Sequence, residues 1–244
     1  MTLTLSNMQR WLKKNWLWLI ANIGALIPLA LLIWDFMHGG LSADPVAEIT
    51  NRTGKTAIIL LMLSLACTPV NILTGFSQVL PLRKPLGLYA FMYASFHFLN
   101  FVGLDYGFDI HFILNDALLE KPYILVGLTA LIILIPLAIT STKGWMKRLG
   151  RNWKRLHQLV YVAGGAAVLH FLWLAKAAVR WEPLLYALLL TILLVMRVPP
   201  VRKYIVGLRQ GKRNKKTSPI SRKPRPTTAR TSKTDKAVAP ESAY

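Results

Sequence analysis

YILVGLTALIILIPLAIT, residues 123–140, decides the fold class. From Leu131 to Leu137 every side chain is apolar, with no alternation of apolar and polar positions. A strand of a membrane barrel would alternate. A continuous run of about 18 apolar residues instead suits a helix crossing a ~30 Å hydrocarbon layer. Five more runs of the same kind lie at roughly 16–36, 57–75, 86–103, 156–177 and 183–198. Together they predict an all-α integral membrane protein, a six-helix transmembrane bundle. Pro69 and Pro136 fall inside two of the runs, where neighbouring helices can satisfy the freed carbonyls. Composition agrees: 54% of the 244 residues are hydrophobic and 16% charged, against about a quarter charged in soluble domains. The first run follows Arg10, Lys13 and Lys14 as a signal peptide would. It is long, however, and no small-x-small cleavage site follows, so it reads as a retained helix. No internal repeat is evident.

Charge sets an expected orientation. With a cytoplasmic N-terminus, 25 of the 30 basic residues fall on the cytoplasmic side. The other five are Arg52, Lys55, Lys121, Lys176 and Arg180. Lys and Arg are retained on the cytoplasmic side of bilayers, so both termini are expected there. Three regions follow: a cytoplasmic segment 1–15, a membrane domain 16–205 and a disordered basic tail 206–244. About half of the basic residues, 14 of 30, lie from Arg197 onward, most of them in that tail. It reads as a solvated topology signal, or as a contact for anionic lipid head groups, rather than as a nucleic-acid surface. Cys67 stands alone within the second run, so no disulfide forms within the chain. The absence of C-x-x-C-H excludes covalently attached heme.

Ionisable residues inside a membrane are costly and mark function. His97, His157 and His170 lie in or at the edge of the third and fifth runs, whereas His38 and His111 lie in far-side loops. Counting from the far ends of those runs at ~1.5 Å per residue puts His97 and His170 both about 10 Å below the far boundary. Two imidazoles at one depth can bind opposite faces of a heme iron. A hydrogen-bonded histidine between helices and another metal are the competing explanations, although zinc would want three or four ligands. His157 lies about 20 Å lower on its helix and cannot serve the same iron. Its counterpart in depth on the third helix is Arg83, a poor iron ligand, so one heme or two remain open. Ala163, Gly164, Gly165, Ala166 and Ala167 leave room for a flat macrocycle, or for close helix packing.

Three stretches carry a family likeness: HGGLSADPVAEITNRTG at 38–54, LGLYAFMYASFHF at 86–98 and GRNWKRLHQLVYVAGGAAVLHFLW at 150–173. Over about residues 8–205 the chain resembles the MsrQ (YedZ) family, the heme-binding membrane subunit of a bacterial protein-methionine-sulfoxide reductase, within the ferric-reductase-like transmembrane group. The resemblance implies heme b in six helices of the bacterial inner membrane, with His97, His157 and His170 at the ligand positions. It implies electrons drawn from the respiratory quinone pool and passed to MsrP, a periplasmic molybdopterin reductase that is the catalytic subunit. FMN is implied by the resemblance alone; no flavin-binding motif is present. Arg83, Lys84, Trp153 and His157 are then the expected surroundings of an electron entry site. The 38–54 loop is the expected exit surface, with Asp44 and Pro45 forming a turn or facing the partner. The rival classes are a ferric-reductase-like subunit with another donor or acceptor, a heme-free transporter, and a membrane scaffold without a cofactor.

Overall fold

A computed structural model describes residues 5–115, 120–175 and 181–217. Among them every regular element is helical. In chain order these are α1 (Leu5–Met37), α2 (Pro45–Thr74), a 3-10 turn (Ser77–Leu82), α3 (Arg83–Asn100) and a π turn (Phe101–Asp105). They continue with α4 (Ile110–Asn115), α5 (Tyr123–Ile139), α6 (Lys143–Leu149), α7 (Arg151–Gln158), α8 (Val160–Leu174), α9 (Trp181–Val195) and α10 (Pro199–Thr217).

Three stretches are by themselves long and apolar enough to cross a membrane: Asn15–Met37, Pro45–Thr74 and Arg151–Leu174, the last being α7 and α8 together. Two further spans exist if each bent pair counts as one, α5 with α6 at 95° and α9 with α10 at 76°. The expected third crossing, α3, is not among them; its 18 residues include Arg83, Lys84, Ser95, His97 and Asn100. Large apolar side chains such as Ile23, Leu31, Trp34, Leu63, Ile132, Leu169 and Leu188 face outward. An outward apolar face is what lipid requires, and the fold is that of a multi-pass membrane protein.

α2 is the hub. In its most apolar stretch 44% of residues are buried, against 11% for α1. One cluster joins α2 (Leu60, Leu61, Cys67) to α3 (Leu86, Ala90, Tyr93), α5 (Leu134, Leu137) and Ala163. A second joins α2 (Ile58, Met62, Leu65) to Val168 and to Leu190 and Leu193 of α9. Cys67 is a buried packing residue whose thiol donates to the Leu63 carbonyl.

Four boundaries differ from expectation. α2 begins at Pro45 rather than near 57, so much of the expected 38–54 loop is helix. The cause is the Asp-Pro pair: Asp44 Oδ1 accepts from Ala47 N at 3.0 Å, and Pro45 occupies the first turn, where it loses no bond. The fifth run begins at Arg151, with a break at Leu159 between α7 and α8. His157 therefore sits on a segment separate from that of His170. α10 continues into the segment expected to be disordered from 206. It is tied down by Arg209, which donates to the Asn71 and Ile72 carbonyls at the end of α2. The remaining tail, 218–244, lies outside the described residues, as do Lys176 and Arg180.

α1 is fastened to α3 through an interrupted helix ladder. Pro28 lacks a backbone donor. One residue later, Leu29 N donates to the Tyr93 hydroxyl at 2.9 Å, and that hydroxyl donates to the Ala25 carbonyl at 2.8 Å. Leu29 N would ordinarily donate to the Ala25 carbonyl, so Tyr93 is inserted into the ladder. Tyr93→Phe should cost about 1–2 kcal/mol, because one buried hydroxyl makes both bonds. Thermal unfolding in detergent measures this, and an unchanged midpoint would refute it.

Candidate functional site

His97 on α3 and His170 on α8 face one another across a cleft, with ring centres 6.2 Å apart and planes crossed at 80°. They are neither stacked nor hydrogen-bonded to one another. His97 Nδ1 donates to the Thr50 carbonyl at 2.9 Å, and His170 Nδ1 donates to the Tyr123 carbonyl at 2.8 Å. A carbonyl only accepts, so Nδ1 carries the proton in both rings. Nε2 is left as a bare lone pair, the tautomer a metal ligand needs. A ligating nitrogen sits about 2 Å from its metal, and its ring centre lies roughly 1 Å behind it. Two imidazoles on opposite sides of one metal therefore stand roughly 6 Å apart. The observed spacing matches.

Two glycines permit this arrangement. The carbonyl of a helical residue points toward residue i+4, so a ring that reaches it lies over residue i+4. Those residues are Gly54 and Gly127. A Cβ would stand 2.9 Å from His97 Nδ1 at the first and 2.8 Å from His170 Nδ1 at the second. The sequence reading names neither glycine.

These matched contacts expose an internal repeat. Thr50 and Tyr123, Gly54 and Gly127, and His97 and His170 are each 73 residues apart. The cleft lining follows the same offset at Ala57 and Ala130, Ile58 and Leu131, Leu61 and Leu134, Ala94 and Ala167, and Phe98 and Phe171. The α2–α3 pair and the α5–α8 pair are thus two copies of one unit. This corrects the expectation of no repeat. The signal is present as GKTAIILL at 54–61 beside GLTALIIL at 127–134, and AFMYASFHF at 90–98 beside AGGAAVLHF at 163–171.

The cleft encloses about 870 Å³ of non-atom space, its open mouth included. Apart from the histidines, Asn51 and Lys55, its described walls are apolar, with glycine and alanine among leucine, isoleucine and phenylalanine. Lys55 and Asn51 also line a polar bay with Asp44, Glu48, Arg52 and Glu182. There Arg52 pairs with Asp35 and Glu48, and Lys55 pairs with Glu182 at 2.9 Å. Among the described residues no cluster of three or more His, Cys, Asp or Glu could hold a metal, so the pair has no zinc-like ligand set around it. The donor set suits an iron whose equatorial ligands come from a macrocycle.

His157 belongs to a different cleft, lined also by Arg83, Lys84, Gly87, Trp153, Lys154, Tyr161 and Arg197. Trp153 stacks on His157 at 4.1 Å and donates from Nε1 to the Thr140 carbonyl. His157 Nε2 lies 3.1 Å from Thr140 Oγ1, whose proton goes to the Pro136 carbonyl at 2.6 Å. Arg83 lines the same cleft while donating to Leu80 O and Thr68 Oγ1. Arg197, which sequence reading counts only as a topology charge, donates to the Tyr161 hydroxyl and to the Leu65 carbonyl, and its Nε is buried without an acceptor. His38 is exposed and stacked on Trp34, and His111 lies beside Asn115 on α4; neither joins a histidine site.

Comparison with known proteins follows the same residues. Residues 53–175 match the family model described as ferric reductase like transmembrane component. The chain is 50% identical over 186 residues to the protein-methionine-sulfoxide reductase heme-binding subunit MsrQ of Xanthomonas euvesicatoria pv. vesicatoria, covering 73% of this chain and 84% of that one. It is 51% identical over 184 residues to the subunit of the same name from Xanthomonas campestris pv. campestris, covering 72% and 83%. It is 42% identical over 183 residues to that of Rhodospirillum rubrum, covering 74% and 87%. A family match centred on the repeated helices, and relatives this similar along most of their length, lead to one conclusion: the chain belongs to the MsrQ family, within the ferric-reductase-like transmembrane group.

Proposed function

We propose that the chain is the heme b-carrying membrane subunit of a protein-methionine-sulfoxide reductase, moving electrons from the respiratory quinone pool to a periplasmic MsrP-type molybdopterin reductase. The observation that carries this reading is the His97–His170 pair, 6.2 Å apart with both Nδ1 atoms spoken for by backbone carbonyls. Bound heme supplies a one-electron carrier that cycles between ferric and ferrous iron. His97 and His170 hold the iron, Thr50 and Tyr123 fix their tautomers, and the alanine and phenylalanine walls keep water out. Burial and the bonds to the axial imidazoles tune the potential. In this reading the protein crosses the bacterial inner membrane six times, α3 and its π turn included, with both termini cytoplasmic.

The His157 cleft is then the entry side. Its basic and aromatic lining of Arg83, Lys84, Lys154, Arg197, Trp153 and Tyr161 suits a planar anionic or quinoid ligand. A quinol, the FMN associated with the family, and a second heme near His157 are its three occupants to test. The polar bay beside Lys55 is the exit side.

Purified from heme-sufficient cells, the full chain should be red, with a low-spin Soret band that shifts on reduction by a quinol analogue and returns on adding an MsrP-type reductase with methionine sulfoxide. A colourless preparation would remove the proposal and favour a transporter. His157→Ala should leave the His97–His170 signal intact. The heme-to-chain ratio, measured before and after that change, decides between one heme and two.

A further inference from the structure

The heme cleft is built on a two-fold repeat, but heme is not two-fold symmetric in the same sense. One edge carries two carboxylates and the other edges are apolar. A cage with equal walls would accept that edge on either side. The sequence repeat is broken at two polar positions of the cleft. Among the described residues, Asn51 and Lys55 are the only polar side chains besides the histidines that line the cleft. Their counterparts 73 residues on are Ile124 and Leu128. Both polar residues stand on one turn of α2, half in the cleft and half in the adjoining bay.

We infer that Lys55, with Asn51, receives the carboxylate edge of the heme and so fixes which way the macrocycle faces. This rests on the heme reading above and adds to it the residues that select one seating. Lys55 suits the task. Its ammonium is a point charge on a flexible four-carbon stem, and it stands at the mouth, where the salt bridge to Glu182 is 46% exposed on the lysine side. A carboxylate there keeps one face toward water and needs no buried counter-charge, so little desolvation opposes it. The corresponding positions on α5, Ile124 and Leu128, are apolar and offer the same carboxylates no partner. The carboxylate edge therefore turns toward Lys55 and Asn51, and the repeat's second seating is rejected.

The test compares hemin with hemin dimethyl ester, in which both carboxylates are masked. Full-length protein made in heme-limited cells is titrated with each, following the bis-imidazole Soret signal that His170→Ala removes. The parent should bind hemin about three- to tenfold more tightly than the ester, the range for a partly exposed charge-assisted contact. Lys55→Leu, which installs the residue of the other half, should erase that preference by weakening hemin alone. Lys55→Arg should keep it. Glu182→Gln breaks the salt bridge but spares the lysine, and it should keep the preference as well. Equal loss for hemin and ester in Lys55→Leu would mean that Lys55 only braces α2 against α9, and the inference falls. Equal affinity of the parent for both ligands also overturns it, while leaving the heme reading standing. Failure of the parent to bind either ligand is failure of the heme reading itself.

Discussion

His97→Ala and His170→Ala should each abolish the low-spin bis-imidazole heme spectrum. The two rings are the sole imidazoles lining the cleft, so neither loss has a substitute. On the heme reading, deleting one would remove one of the two side chains that hold the iron and leave apolar lining such as Ala94, Ala167, Phe98 and Phe171 in its place. The expected result is a high-spin or heme-free protein with electron transfer to the partner lost by about a hundredfold or more, beyond the roughly 10–100-fold that losing a group orienting a ligand costs. Visible and EPR spectra of the ferric protein check this. Retention of the parent spectrum in both variants would refute the pairing. The two should behave alike, because each imidazole is held by one carbonyl over one glycine.

Gly127→Val and Gly54→Val should come close to those effects without touching a ligand. A Cβ at either position would lie under 3.0 Å from Nδ1 of the histidine above it. Contacts that short between a carbon and a ring nitrogen are not tolerated, so the ring must leave or the helices must part. If the ring leaves, the bond to Thr50 or Tyr123 breaks, and with it the preference for an Nε2 lone pair. Valine adds two methyl groups in the same space, and overpacking of this kind costs about 1–3 kcal/mol. The expected outcome is a folded, helical protein with heme content reduced at least about tenfold. Circular dichroism beside heme assay separates this from unfolding. A Gly127→Val protein with full heme and an unaltered spectrum would show that the close approach does not govern the site.

The membrane helices were legible from apolar runs because lipid contact is a demand on every outward side chain. The pairing of His97 with His170 was legible from depth, since residue count along a helix is nearly a ruler. Helix ends were less so. Asp44-Pro45 reads as a turn and in fact starts α2, because a turn and an N-cap use the same chemistry. The count of crossings is obscured by α5 and α9, 17 and 15 residues long, and by the polar load of α3. The repeat was the largest omission. Recurrence is strongest at positions facing the cleft, such as Gly54 with Gly127 and Ala94 with Ala167. Other positions have diverged, so the buried Tyr93 is answered by Ala166 and the cleft-lining Lys55 by Leu128. Gly54 and Gly127 carried no signal alone, because a glycine in a helix gains meaning only when what lies over it is known. Arg197 escaped notice for a similar reason: its neighbours come from α2 and α8, far away in sequence.

If heme is held as proposed, the duplicated helix pair has a consequence for the speed of electron exchange. An ion pulled equally from two sides by twin imidazoles, each anchored on its own rigid helix, has no direction in which to relax when its charge changes by one. Most of the delay in passing an electron comes from atoms that must first move. A holder made from two copies of one part keeps those atoms still, leaving distance and driving force to set the pace.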